Sequence, residues 1–169
     1  MQHFSTCDFC DEHKSDDSGA FRVLPGGLYR SYGGVERFAG PVATLRCLED
    51  NSLVKSAVES PGQGRVLVVD GGGSLRRALI GGNLAAAAAS NGWAGVLIHG
   101  ALRDLAELRE ARLGLLALGH VPLPTERRGQ GLADAVLQIG GGVWVRPGDW
   151  LYADEDGVVI SAVPLQRAD

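Results

Sequence analysis

The sequence predicts an α/β fold in which a central parallel βαβ part is followed by an antiparallel β part at the C-terminus. In the middle of the chain, short apolar runs alternate with helical segments at the spacing of βαβ units. The last third consists of short β-rich segments separated by glycine, proline and aspartate turns. Because the 169 residues show no composition change strong enough to mark a boundary, residues 1–169 are expected to form one domain.

The N-terminal third predicts one strand and one helix. Residues 1–25 are polar and irregular, and they are expected to pack on the core without building it. Residues 42–48 alternate between apolar and polar side chains as a strand does. Residues 51–59 place apolar side chains at helical spacing, with Asp50 or Asn51 as the candidate N-cap. The Pro-Gly-Gln-Gly segment 61–64 ends that helix.

The middle of the chain predicts three strands with two helices between them. Residues 66–69 and 95–99 are apolar runs typical of strands buried on both faces, and a third strand covers residues 115–118. The first helix, from about Asn83 to Ser90, is rich in alanine, which favours helix formation. The second runs from about Asp104 to Ala111. Right-handed crossovers should make these strands neighbours in a parallel sheet.

The last third predicts four short strands, which are joined by turns and are expected to form an antiparallel meander. They cover residues 136–139, 143–145, 150–153 and 158–161.

Composition excludes some partners and compartments. The net charge of −4 gives no electrostatic reason to expect nucleic acid or an anionic membrane. Three cysteines without a secretory segment fit a reducing compartment. Since no apolar run is long enough to span a bilayer, the protein is expected to be cytoplasmic.

Ligands of open α/β sheets bind beyond the carboxyl ends of the strands, and two segments follow such ends. Because these strands are expected to be neighbours, both segments should reach the same crevice. The first starts at Asp70 and three glycines and continues to Gly81, Gly82 and Asn83 at a helix N-terminus. It lacks the third glycine of a dinucleotide fingerprint and the lysine of a P-loop. The N–H groups of this helix N-terminus could bind an anion such as a carboxylate; alternatively, the glycines only make a turn.

The second segment, residues 99–104, ends in an arginine and an aspartate. Asp104 could hold Mg²⁺, which commonly uses one or two carboxylates with water and substrate oxygens. Arg103 could bind a substrate carboxylate or keto oxygen with its planar guanidinium. Glu107 lies one helical turn further on and could orient a metal-bound water. The alternative is that Asp104 caps a helix and that Arg103 and Glu107 are surface residues.

Three other segments resemble known sites more weakly. Cys7, Cys10 and His13 have a spacing that zinc could use, but no second ligand pair follows. His99 could act as an acid or base, or it could simply be hydrogen-bonded in place. The acidic turn 154–157 resembles the start of a calcium loop, but it lacks the later ligand spacing and reads better as a hairpin turn.

Several segments together resemble the RraA-like family, named for regulator of ribonuclease activity A. Their order and spacing extend the resemblance over nearly the whole chain. The matching segments are Val66–Leu79, Asn91–Gly95, Gly100–Asp104 and Gly148–Gly157, with weaker matches from Phe38–Gly40 through Glu49–Asn51.

This resemblance implies a fold like the swivelling β/β/α domain and a ring-shaped homotrimer. Many relatives of this kind are class II pyruvate aldolases that depend on a divalent metal (Mg²⁺ or Mn²⁺). They cleave 4-hydroxy-4-methyl-2-oxoglutarate to two pyruvates and decarboxylate oxaloacetate, another 2-keto acid. The family's name implies a second function, binding and inhibition of ribonuclease E without catalysis. A methyltransferase activity, also attributed to the family, is set aside because no S-adenosylmethionine site is found.

The resemblance also implies roles for individual residues. The aldolases resemble a pattern of Asp, twenty residues, Arg-Asp, two residues, then Glu or Asp. By this pattern Asp104 binds the metal, Arg103 the substrate and Glu107 a metal-bound water, while the turn Gly81–Leu84 holds the substrate carboxylate. The first position of the pattern falls on Gly82, which has no side chain to move a proton. Aldol cleavage is therefore expected to be weakened more than decarboxylation.

Overall fold

The computed structural model describes residues 3–166. In chain order the helices are α1 (Thr6–His13), α2 (Ser52–Val58), α3 (Gly82–Ser90) and α4 (Leu105–Glu110). The strands are β1 (Phe21–Val23), β2 (Arg30–Ser31), β3 (Phe38–Arg46), β4 (Val66–Asp70), β5 (Ala78–Ile80), β6 (Gly95–Leu102), β7 (Gly114–His120), β8 (Leu132–Ala133), β9 (Leu137–Ile139), β10 (Val143–Val145), β11 (Trp150–Ala153) and β12 (Val158–Ser161). None of the helices in this part of the chain is long and apolar enough to span a bilayer.

The predicted parallel part is confirmed. Strands β3, β4, β6 and β7 lie side by side in that order and pair in parallel. Helix α3 connects β4 and β5 to β6, and α4 connects β6 to β7. The fold class is therefore the expected mixed α/β arrangement.

Strand β4 is buried on both faces, as its apolar run predicts. Leu67 and Val69 pack on the side that carries the helices. Val66 and Val68 pack on the opposite side, against the hairpin of β9 and β10. Since successive side chains of a strand point to opposite faces, one four-residue run contributes to two cores.

The antiparallel part does not form the single meander that was expected. Strands β11 and β12 pair with each other and, through β11, with the first half of β3. Strands β9 and β10 form a separate hairpin. The apolar side chains of Leu137, Ile139 and Val145 pack against the sheet, so this hairpin covers one face as a second layer instead of extending the sheet.

The N-terminal segment contains a helix where the sequence predicted irregular chain. The Ser5 hydroxyl accepts a hydrogen bond from the N–H of Asp8 and caps α1. The backbone and hydroxyl of Thr6 both donate to the carboxylate of Asp154. Phe9 packs on Tyr152, with ring centroids 5.0 Å apart. The prediction was wrong because these contacts join residues far apart in the sequence.

Strand β5 was also missed, and it positions the site. It pairs in parallel with the carboxyl end of β6, where Ala78 faces Ala101 and Ile80 faces Leu102. Gly81, directly after β5, is therefore held beside Arg103 and Asp104, which follow β6.

Candidate functional site

A cavity of about 560 Å³ lies at the carboxyl end of the parallel sheet. Its walls are α2, β5, the N-terminus of α3, the residues after β6 and a segment near residue 125. The lining residues are Asn51, Lys55, Glu59, Ala78, Ile80, Gly81, Asn83, Leu84, Ala87, Arg103, Asp104, Pro124, Thr125 and Arg127.

Asp104 links the two segments that the sequence predicted to face each other. It has left-handed backbone geometry (φ 63°, ψ 46°), and it makes no side-chain capping bond to its own helix α4. Its Oδ2 instead accepts a hydrogen bond from the N–H of Gly82, at 3.0 Å. The carboxylate thus caps α3, a neighbouring helix, where the positive end of the helix dipole favours negative charge.

Arg103 is fixed by its backbone and partly exposed at its side chain. Its N–H donates to the carbonyl of Ile80 at 3.0 Å. Its Nε lies 3.8 Å from Oδ2 of Asp104, and both side chains are between a third and two fifths exposed. A pair this exposed contributes little to stability, so the guanidinium can be given up to an anionic ligand at small cost.

Glu107 fills the space beside Gly82. A Cβ built on Gly82 would overlap Oε2 of Glu107 and would lie 2.7 Å from its Cδ. The glycine therefore allows the Glu107 carboxylate to rest against the α3 N-terminus. Gly82 is the position at which the aldolase pattern has aspartate, and the carboxylate of Glu107 lies directly beside it.

Most of the predicted site residues meet at the cavity. Gly81, Asn83, Leu84, Arg103 and Asp104 line it. Gly82 and Glu107 are not among its lining residues, but the N–H of Gly82 donates to Asp104 and the Glu107 carboxylate lies against Gly82.

The glycine turn after β4 does not join the cavity, contrary to expectation. The N–H groups of Gly71 and Gly73 donate to the carbonyl of His99, and that of Gly72 donates to the carboxylate of Asp70. A turn whose amides are already paired cannot cradle a phosphate, which agrees with the absence of a nucleotide fingerprint.

His99 is hydrogen-bonded in place, which favours the structural alternative. Its Nδ1 lies 2.8 Å from the hydroxyl of Tyr29. Burial lowers the pKa of His99, and the nearby Asp70 carboxylate partly offsets that shift. Neither Tyr29 nor His99 lines the cavity.

The weaker metal candidates gain no support. Within residues 3–166, no three His, Cys, Asp or Glu side chains are arranged to hold a metal ion. His13 stacks on the ring of Phe21, and Asp154 binds Thr6. The carboxylates of Glu59 and Asp104 line the cavity, and Glu59 pairs with Lys55. Asp104 remains as the metal candidate, since Mg²⁺ can use a single carboxylate when substrate and water supply the other ligands.

One wall of the cavity was not predicted from the sequence. Asn51 and Arg127 lie on it, although they are 76 positions apart in the chain. Asp50 accepts hydrogen bonds from the N–H groups of Ser52, Arg128 and Gln130. Burial raises the pKa of Asp50, but these hydrogen bonds and that of the Ser52 hydroxyl outweigh it and bring the pKa to about 2. The sequence indicated Asp50 and Asn51 only as possible helix caps.

Comparison with known proteins agrees with this architecture. The chain matches the sequence model of the RraA-like family, described as Aldolase/RraA, over residues 6–160. It is 64% identical over 167 residues to a presumed 4-hydroxy-4-methyl-2-oxoglutarate aldolase of Albidiferax ferrireducens, covering 94% of this chain and 95% of that protein.

Two solved structures share the fold over nearly the full length of both chains. The RNA-processing inhibitor RraA of Thermus thermophilus superposes with a TM-score of 0.90 at 47% identity, covering 98% of this chain and 96% of the other. A protein of Geobacillus kaustophilus, called an S-adenosylmethionine:2-dimethylmenaquinone methyltransferase, gives 0.89 at 42% identity, covering 98% and 100%. The chain therefore belongs to the RraA-like family.

Proposed function

We propose that this protein is a divalent-metal-dependent lyase that cleaves 4-hydroxy-4-methyl-2-oxoglutarate to two pyruvates and also decarboxylates oxaloacetate. The observation that carries the proposal is the placement of Arg103 and Asp104 beside the α3 N-terminus on one cavity. The name of the Albidiferax relative, at 64% identity, supports the same reaction.

The α3 N-terminus supplies a carboxylate-binding surface. The first N–H groups of a helix have no partner within the helix. The N–H of Gly82 donates to Asp104, so the backbone N–H groups of Asn83 and Leu84 remain available to bind the carboxylate of a 2-oxo acid. Arg103 adds a guanidinium, which binds carboxylate or keto oxygens through paired N–H groups.

Asp104 is the residue that would hold the cation, Mg²⁺ or Mn²⁺. Its hydrogen bond and its contact with Arg103 both involve Oδ2, and within residues 3–166 Oδ1 has no hydrogen-bond donor. When bound, the cation supplies Lewis-acid stabilisation of the negative charge that develops on the keto oxygen.

Glu107 is the carboxylate that we propose moves a proton in the reaction, through a water molecule, since it lies beside Gly82 and not on the cavity wall. Aldol cleavage requires removal of the proton from the 4-hydroxyl group as the C3–C4 bond breaks. Gly82 has no group for this purpose, and Glu107 occupies the adjoining space. Decarboxylation of oxaloacetate has no such hydroxyl, so we expect it to be the faster of the two reactions here.

Pyruvate release tests the proposal directly. We expect turnover of both substrates with Mg²⁺, its loss with EDTA, and an equal loss in Asp104→Ala. Glu110→Ala removes an exposed carboxylate from the end of α4 and serves as the matched control, with turnover unchanged. Calorimetric titration of Mg²⁺ with pyruvate present provides a second readout, in which only Asp104→Ala should abolish binding. Absence of metal-dependent turnover on either substrate contradicts the proposal.

The Thermus relative, described as an RNA-processing inhibitor, favours a second candidate function. In this alternative the chain binds ribonuclease E and inhibits it. With either function we propose that the chain assembles as a homotrimer. Titrating the purified protein against ribonuclease E on a fluorescent RNA tests inhibition, and light scattering measures the mass of the assembly. Inhibition that persists in Asp104→Ala would separate this function from the lyase reaction.

A further inference from the structure

The cavity is lined by a second arginine, Arg127, on the segment near residue 125. Three cations line the cavity in all, and one of them, Lys55, is neutralised by Glu59 at 2.7 Å. Arg103 lies close to Asp104. Within residues 3–166, Arg127 forms no ion pair with a carboxylate.

Arg127 is held in place although its side chain is exposed. Its Nε donates to Oδ1 of Asn51 at 3.2 Å. The Nδ2 group of Asn51 donates to the carbonyl of Leu79 in β5. Only this orientation of the Asn51 amide satisfies both partners, and Asn51 is 9% exposed. The hydrogen bond uses Nε, which leaves the two terminal nitrogens of the guanidinium free to bind a ligand.

Strand β5 connects the two arginines. The carbonyl of Leu79 accepts a hydrogen bond from the Asn51 side chain, which in turn holds Arg127. The carbonyl of the next residue, Ile80, accepts the backbone N–H of Arg103. The Asn51 side chain that holds Arg127 and the backbone of Arg103 are therefore bound to consecutive residues of one strand. The sheet thus places both arginines on the same cavity.

The backbone around Arg127 is also fastened. The carboxylate of Asp50 accepts the N–H groups of Arg128 and Gln130, at 2.8 and 3.1 Å. The hydroxyl of Ser52 accepts the N–H of Gly129 at 3.0 Å. A segment bound at several points loses little conformational freedom when a ligand binds to it.

We propose that Arg127 binds the distal carboxylate of a 2-oxo dicarboxylate, whose first carboxylate lies at the α3 N-terminus, and that it thereby selects dicarboxylates over monocarboxylates. The proposal rests on the proposed function for the location of the first carboxylate and adds the residue that recognises the second. A free guanidinium in a cavity suits a carboxylate, since such pairs form two parallel N–H···O bonds. Arg127 acts in binding and moves no proton.

The test compares two stable ligands, 2-oxoglutarate and 2-oxobutyrate, by calorimetric titration of the full chain with Mg²⁺ present. Arg127→Gln should weaken binding of 2-oxoglutarate by about tenfold to a hundredfold, since a charge-assisted hydrogen bond is lost, and should leave binding of 2-oxobutyrate unchanged. Arg127→Lys should restore part of the difference. Arg128→Gln is the matched control, because Arg128 pairs with Glu126 and does not line the cavity.

The outcomes separate this proposal from the lyase activity. Equal weakening of both ligands by Arg127→Gln, the same effect in Arg128→Gln, or no preference of the unmodified protein for 2-oxoglutarate would overturn it. In turnover of oxaloacetate, Arg127→Gln should raise KM with little change in kcat. Preferential binding of 2-oxoglutarate that depends on Arg127, without any turnover, would support the subsite and contradict the lyase reaction.

Discussion

Replacing Gly82 by aspartate should destabilise the protein as long as Glu107 keeps its position. A Cβ at residue 82 would overlap Oε2 of Glu107 and lie 2.7 Å from Cδ and 3.0 Å from Cβ of that side chain. Forcing extra atoms into a packed core costs about 1–3 kcal/mol, but Glu107 is exposed and the end of its side chain can move aside, so the steric cost here lies at the low end of that range. Two carboxylates at about 4 Å repel each other by on the order of 4 kcal/mol at an effective dielectric constant of 20, and solvent at Glu107 reduces this repulsion. We therefore expect a loss of about 1–2 kcal/mol in the free energy of unfolding.

A double-mutant cycle with Glu107→Ala measures the origin of that loss. Once the Glu107 side chain is removed, Gly82→Asp should cost much less, with a coupling energy of about 1–2 kcal/mol between the two sites. Urea denaturation at pH 7 supplies the four free energies of unfolding. A cycle with Glu110→Ala, on the same helix, should show no coupling. If Gly82→Asp costs the same in the presence and absence of Glu107, the steric and electrostatic argument is refuted.

The same variants test whether Gly82 limits aldol cleavage. Gly82→Asp should raise the rate of cleavage of 4-hydroxy-4-methyl-2-oxoglutarate relative to the rate of oxaloacetate decarboxylation, because it adds a proton-transfer group at the position where the aldolase pattern has aspartate. The gain should be larger in the Glu107→Ala background if the new carboxylate needs the vacated space. No gain in either background contradicts the proposed role of Gly82.

Two further predictions concern the stability of the fold. Asp50→Asn should lower the free energy of unfolding at pH 7 by about 1–3 kcal/mol, because an amide cannot accept all four hydrogen bonds. The pKa of Asp50 falls from 3.8 to about 2 in the folded protein. The stabilisation by this carboxylate is therefore complete above the ordinary carboxyl pKa and is lost as the pH falls through about 2. Denaturation between pH 7 and pH 2 should therefore show a flatter acid limb for this variant, and an unchanged limb would contradict the assignment. Gly114→Ala should lower the free energy of unfolding by about 2–3 kcal/mol, because its Cβ would overlap the buried ring of Phe38. Gly26→Ala is the control, because no atom lies within 4 Å of a Cβ at that position. Equal melting temperatures for the two variants would count against the packing argument.

The sequence alone determined the parallel core and located Arg103 and Asp104 beside it. The apolar runs 66–69 and 95–99 indicated strands buried on two faces, and the structure confirms both. The adjacent Arg103 and Asp104 could be located because they directly follow one of these strands. Such features depend on side chains within a few residues of each other, so local pattern was sufficient.

Only the tertiary structure decided how the site is assembled. The three-residue strand β5 forms because its residues pair with the end of β6, and that pairing brings Gly82 to the carboxylate of Asp104. The wall containing Arg127 depends on Asn51, 76 positions away. Contacts across such separations leave no periodic signal in the sequence, because they form only when distant segments come together in the folded protein and not from the conformational preference of either segment.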